Sequence, residues 1–233
     1  MIAKNDRGPR LLPGEVSLAH HGVLFLDELP EFGRNALEAL RQPLEDGRLT
    51  LSRAAGTVTF PASFMLVAAM NPSPTGGFDD AARGKCTPAA MRRYLNRISG
   101  PLLDRIDLHV EVPAVDRQLL LQSESAESSA AIRSRVEQAR ASQAQRLASG
   151  RRKIHNNARM GPREIARFCI LSPACGNFLA TALSELGLSA RAFHRILKVA
   201  RTIADLAGRG ELREEDLAEA IGFRSLDRRI WGE

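Results

Sequence analysis

The stretch that decides the fold is Gly22-Val23-Leu24-Phe25-Leu26-Asp27-Glu28. Four consecutive apolar residues end in two adjacent carboxylates. A run with no polar alternation predicts a strand buried on both faces, as in a parallel sheet covered by helices. The two acids then emerge at its carboxyl end, where open α/β sheets hold their ligands. Asp27 has the chemistry to hold Mg²⁺ through its water shell, because that ion favours one or two carboxylates with waters and phosphates. Glu28 has the chemistry to polarise a water for in-line attack on a phosphate. The plainer reading is a strand that ends in an acidic turn.

Downstream, residues 35–46 read as one amphipathic helix, with Ala36, Leu37, Leu40 and Leu44 at helical spacing and Gly47 as the stop. Two short β-rich runs, 49–53 and 57–60, flank a small loop holding Gly56 and predict a hairpin that carries Arg48 and Arg53. Such cations also suit a solvated sheet edge. Residues 64–70 form a second continuous apolar run closing on Asn71, a neighbouring core strand with an amide at its tip. Thr87-Pro88 opens a short helix carrying Arg92, Arg93 and Arg97, and residues 106–112 read as a further strand.

Pro113 marks a domain boundary, so that residues 1–113 are α/β and 114–233 are all-α. Residues 123–147 read as one long, mostly exposed helix. The segment 131–167 holds ten Lys or Arg against two Glu, so the basic character is local. Pro162 and Pro173 each open a helix, where a missing N–H costs nothing. Ser189 is the expected N-cap of a helix over 190–207, and acids at 214–216 open the last one.

The 233 residues are 44% hydrophobic, enough for a core, but only 5% aromatic, so Leu, Ala, Ile and Val build it. A net charge of +6 and a pI near 9.9 favour a polyanionic partner. Cys86, Cys169 and Cys175 have no metal-ligand spacing and leave one unpaired, which fits a reducing cytoplasm. No apolar run approaches the roughly 18 residues of a membrane span, and residues 1–10 lack the apolar run of a secretory leader. His20 and His21 are adjacent and share no helical face, so they read as packing or surface residues.

The order of these features resembles one family. Val23-Leu-Phe-Leu-Asp-Glu28 resembles the Walker B strand of AAA+ ATPases, and Asn71 stands where their sensor-one residue stands. Ser99-Gly-Pro-Leu-Leu-Asp-Arg105-Ile-Asp107 resembles the arginine-finger segment of the magnesium-chelatase branch. Gly187-Leu-Ser-Ala-Arg191-Ala-Phe-His-Arg-Ile-Leu resembles the sensor-two helix of the lid. Gly14-Glu-Val-Ser-Leu-Ala-His20, Leu26-Asp-Glu-Leu-Pro-Glu-Phe32 and Phe223-Arg-Ser-Leu-Asp227 resemble the ComM (YifB) subfamily. The resemblance runs from about Pro13 to Arg228.

It implies an incomplete AAA+ P-loop-type parallel sheet followed by an all-α lid, and a ring-forming ATPase, as a hexamer, that drives DNA branch migration during natural transformation. Asp27 would support the Mg²⁺ of bound ATP, Glu28 would activate water, and Asn71 would position that water. Arg105 would reach a neighbouring subunit's nucleotide, Arg191 would touch phosphates from the lid, and Arg53 of the pore hairpin would contact the DNA backbone.

Two departures qualify the expectation. No Gly-x-x-x-x-Gly-Lys-Ser/Thr occurs in the chain, so it reads as the carboxyl-terminal part of a family member, inactive toward ATP by itself. Where relatives carry cysteine pairs, this sequence has Ser73 and Thr75, then Gly84 and Cys86, so no zinc is expected. The alternative is a non-catalytic DNA-binding or subunit-interaction fragment. Magnesium chelatase proper is disfavoured by the wording of the 99–105 and 223–227 segments.

Overall fold

The structure is a computed structural model that describes residues 3–4, 12–53, 56–77, 85–113, 127–148 and 154–224. The Arg53 side chain, Gly84, the first residues of the expected 123–147 helix and the 225–227 part of the last motif lie outside the described residues. The chain is mixed α/β and divides into two compact units, the first ending at Ile106 and the second beginning at Asp107.

In the first unit, β1 (Ala3–Lys4) and β2 (Leu12–Pro13) pair antiparallel, and α1 (Glu15–Leu18) leads into β3 (Val23–Leu26). A 3-10 turn at Leu29–Glu31 precedes α2 (Arg34–Glu38) and α3 (Arg41–Asp46). The antiparallel hairpin of β4 (Arg48–Arg53) and β5 (Gly56–Pro61) follows, as its turn residues predict. Then come β6 (Met65–Ala68), α4 (Pro88–Leu95) and α5 (Gly100–Leu103). β6 lies parallel to β3, with Val23 opposite Met65 and Leu26 opposite Ala68. Gly47 turns α3 into β4 at φ 68°, a conformation that costs glycine nothing. Its carbonyl accepts the Ala62 N–H at 2.9 Å, closing the base of the hairpin.

Three expectations are corrected. β3 is buried on one face only: Leu26 is enclosed, while Val23 and Phe25 are more than half exposed. Their neighbours on the same face, Met65 and Val67, are exposed too. The described parallel sheet has two strands, and the core that includes Leu26, Leu29, Leu37 and Ile98 covers one side of it. Residues 35–46 are two helices, because Pro43 lacks an N–H and its ring crowds the carbonyl four residues back, at Ala39. Residues 106–112 form no strand. His109 N–H donates to Phe223 O at 2.7 Å, so this segment is tied to a helix end, and Leu108, Val110 and Val112 stay exposed.

The second unit is helical: α6 (Ser129–Ala148), a 3-10 turn at Asn157–Arg159, α7 (Pro162–Phe168), α8 (Pro173–Glu185), α9 (Ala190–Leu206) and α10 (Glu214–Gly222). Ser172 and Ser189 cap α8 and α9 by accepting the Cys175 and Ala192 N–H groups, each at 3.2 Å. Around Ile196, Ala200, Ala204 and Leu217 the core closes, and at its edge lies a buried charge network. The Asp205 carboxylate, 1% exposed, accepts from both terminal nitrogens of Arg146 at 2.8 and 2.6 Å. It also accepts from Arg201 Nε at 3.1 Å and Asn157 Nδ2 at 2.8 Å. Among the described residues no helix is long and apolar enough to cross a membrane.

Two outcomes follow from this packing. Replacing Phe25 and Val67 together by threonine lowers binding of an apolar dye but shifts unfolding stability by less than about 1 kcal/mol, since both side chains already face solvent; a much larger loss would mean the face is packed. Asp205→Ala strands the buried Arg201 and costs roughly 3–5 kcal/mol, read from the urea midpoint.

Candidate active site

The parallel register sends two chain segments out of the sheet at one edge. Past the last pair, Ala69 N–H donates to Leu26 O and Leu29 N–H donates to Ala69 O, both at 2.9 Å. Asp27 and Glu28 therefore leave β3 beside the segment that leads from β6 to Asn71. All three are exposed. Asp27 Oδ1 accepts the Glu28 N–H at 2.9 Å, which fixes that carboxylate at the turn. Glu28 stands in the left-handed region, at φ 49° and ψ 51°, which costs a non-glycine residue about 1–2 kcal/mol. Such strain persists only where the surroundings over-determine it, and it concentrates at functional sites.

α4 supplies those surroundings. Thr87 caps it by accepting the Ala90 N–H at 3.2 Å, with Pro88 in the first turn. From it the Tyr94 hydroxyl donates to Asn71 O at 3.0 Å. One turn on, Arg97 Nη1 donates to Pro30 O at 3.2 Å and to the Glu31 carboxylate at 2.6 Å. α4 and the turn just beyond it thus brace both chain segments of the site. Burial, and then the Glu31 carboxylate, push the Tyr94 hydroxyl above its ordinary pKa, so it stays a donor through neutral pH. The sequence reading missed Tyr94 and the role of Arg97. Their only signal was the chain's single tyrosine, three residues before an arginine.

The remaining candidates stand on other elements. Arg105, just after α5, is mostly covered: Nη1 donates to Pro101 O at 2.5 Å and Nη2 donates to the Glu45 carboxylate. Glu45 was also missed. Arg191 is exposed in the first turn of α9, in the second unit. On the same helix, Arg195 is bound to Asp107, and Lys198 Nζ donates to Ala158 O at 3.0 Å. Burial holds the Lys198 ammonium below its ordinary pKa. Arg53 stands in the last β4 pair, opposite Gly56 at the hairpin tip, and Arg48 is exposed at its base. After Asn71, the Ser73 and Thr75 hydroxyls lie 3.3 Å apart, with Ser73 buried. Cys86, Cys169 and Cys175 are free thiols, all buried.

Comparison with known proteins accounts for this order of parts. Residues 6–120 match the family described as magnesium chelatase, subunit ChlI, and residues 126–224 match its C-terminal family. The chain belongs to the magnesium-chelatase ChlI family. Over 217 residues, 93% of the chain, it is 51% identical to the competence protein ComM of Haemophilus influenzae. Over the same length it is 48% identical to YifB of Salmonella typhimurium and to YifB of Escherichia coli. The chain spans about two fifths of the length of these relatives: 41% of ComM and 42% of each YifB. Both family regions thus belong to a ChlI-type chain of the ComM and YifB kind.

Because Tyr94 is the only tyrosine, its ionisation is directly visible by ultraviolet titration. The folded chain shows a midpoint above 10.0, and unfolding in urea returns it to the ordinary value. The sign is that of an acid whose neutral form is favoured by folding. Its contribution to stability is intact below the unfolded pKa and is lost as pH rises through the folded one. A midpoint at or below the ordinary tyrosine value in the folded chain contradicts the burial of the Tyr94 hydroxyl beside Glu31.

Proposed function

We propose that this chain is the Walker B, sensor and lid portion of a ring-forming AAA+ ATPase that remodels DNA. The observation that carries the reading is the shared edge at which Asp27, Glu28 and Asn71 leave a parallel strand pair, with Glu28 held in a strained turn. On this reading the two strands belong to a P-loop-type sheet, and the helices of the second unit form its lid.

The residues at that edge fit a magnesium nucleotide. Among the described residues there is no group of three or more His, Cys, Asp or Glu able to hold a metal ion. An exposed aspartate at a strand end suits an ion that takes most of its ligands from water and phosphate. Asp27 would hold the ion through water. When bound, Mg²⁺ neutralises charge on the phosphate oxygens. Glu28 accepts a proton from the attacking water, and Asn71 orients that water. Arg105 supplies charge to a neighbouring copy's nucleotide once it leaves Glu45, and Arg191 reads the phosphates from the lid. No phosphate-loop motif occurs in the chain, so ATP turnover requires that element from elsewhere.

DNA as the target is supported by the net charge of +6 and by hairpin arginines Arg48 and Arg53. The name of the Haemophilus relative, a competence protein, points the same way. Backbone contacts of this kind are indifferent to sequence and sensitive to salt. A second, non-catalytic reading, in which the chain only binds DNA or another subunit, draws on α6. Its first ten residues, 129–138, are all exposed, and Arg133 and Arg135 are among them.

Joining the chain to the phosphate-loop portion of a ComM relative separates the two. The first reading expects ATP turnover that Glu28→Gln lowers by about 10²-fold or more with nucleotide binding retained. Turnover indifferent to Glu28→Gln overturns the role of Glu28, and turnover absent although nucleotide binds leaves the non-catalytic reading.

A further inference from the structure

Arg105 is the side chain on which charge transfer between subunits depends in the proposed reading, and its surroundings turn it inward. The side chain is 10% exposed, while Glu45, its ionic partner, is 58% exposed. One terminal nitrogen is bound to Pro101 O, within its own turn, and the other to the Glu45 carboxylate from a different element. Glu45 lies in the last turn of α3, where a carboxylate faces the negative end of the helix dipole and gains nothing locally. It pairs instead with the Arg105 guanidinium.

The position of Glu45 along the chain adds a second observation. Two residues later, Gly47 makes the left-handed turn into β4, and its carbonyl accepts the Ala62 N–H at 2.9 Å where β5 leaves the base of the hairpin. α3 therefore passes straight into the base of the β4–β5 hairpin. The hairpin's far end is polar and exposed, with Ser52 and Thr57 hydroxyls 3.1 Å apart on its open face. Glu45 thus stands one short turn away from the base of the hairpin.

We propose that Glu45 is a positioning residue: it latches the Arg105 guanidinium against its own subunit, and load on the β4–β5 hairpin releases it. The proposal rests on the reading of Arg105 and of the hairpin given above. An ion pair with a half-exposed carboxylate is weak enough to exchange. A phosphate offers a guanidinium a two-toothed, charge-assisted partner that competes with this pair. Release at Glu45 and capture by a neighbouring nucleotide are then one exchange of anions, and the hairpin sets its timing.

The test uses the 233-residue chain itself. Phenylglyoxal modifies accessible arginines, and peptide mass spectrometry reads each site. Arg105 is expected to label about two- to five-fold faster in Glu45→Gln than in the wild type, the range set by a weak surface pair. Glu45→Asp, which keeps the charge, restores protection in part. Arg146, clamped by Asp205, serves as the unchanged reference. Equal Arg105 rates in wild type and Glu45→Gln overturn the latch. Should Glu45→Gln not fold, the same comparison is made with Glu45→Ala, which also removes the charge.

Duplex DNA is then added to the wild type. Protection of Arg48 together with faster labelling of Arg105 supports the coupling. Protection of Arg48 with Arg105 unchanged overturns the coupling alone. Arg48 left unprotected overturns the DNA reading and the coupling with it, while the first comparison still judges the latch.

Discussion

The parallel register between β3 and β6 governs both the core of the first unit and its candidate chemistry. At the amino end it is pinned by the turn before β3. Ser63 N–H donates to His20 Nδ1 at 3.0 Å, His21 N–H donates to Ser63 O at 2.6 Å, and Met65 N–H donates to Gly22 O at 3.0 Å. The Leu29–Ala69–Leu26 hydrogen bonds pin the carboxyl end. A slip of one residue would turn either Leu24 and Leu26 of β3 or Leu66 of β6 out of the core. It would also carry Asn71 about 3.3 Å along the sheet relative to Asp27. Hydrophobic burial thus enforces the geometry that the carboxylates and the amide require, and the two adjacent histidines act as a clamp on backbone.

The cations divide into those already committed and those facing solvent. Arg146 and Arg201 are held by Asp205, Arg209 by Asp216, Arg97 by Glu31 and Arg105 by Glu45. Burial and pairing of this kind serve the fold. Arg48 at the hairpin base and Arg133 and Arg140 on α6 are exposed and suit a diffuse polyanion. The net charge of +6 therefore overstates the cationic charge that is open to a partner, because several of these arginines are already neutralised by carboxylates.

What was legible in the sequence was local. β3, β6 and the β4–β5 hairpin follow from unbroken apolar runs and turn residues, and Ser172, Ser189 and Thr87 cap where their side-chain chemistry predicts. The failures share a different cause. Apolar content alone suggested burial on both faces of β3, but burial depends on what covers a strand, and Phe25 has no cover. The helix over 35–46 was read from spacing, which is blind to the missing N–H of Pro43. Alternation in 106–112 suggested a ladder, yet the one residue enclosed there is His109, and the valines face out. Tyr94, Arg97 and Glu45 escaped notice because each acts on a residue at least 23 positions away, beyond any periodic signal.

The strained turn at Glu28 shows why such distant contacts matter. Left-handed backbone at a glutamate is unfavourable locally, and nothing in Leu26-Asp27-Glu28-Leu29 would choose it. Leu29 and Pro30, both buried, anchor the chain beyond the turn. Leu29 N–H is held by β6, and Pro30 O by Arg97. Two hydrogen bonds at about 1 kcal/mol each are comparable with the roughly 1–2 kcal/mol of strain. The carboxylate is consequently aimed by the sheet partner and by α4. Its own side chain contributes little to that aim, so the position is free to be selected for chemistry while its neighbours maintain the shape.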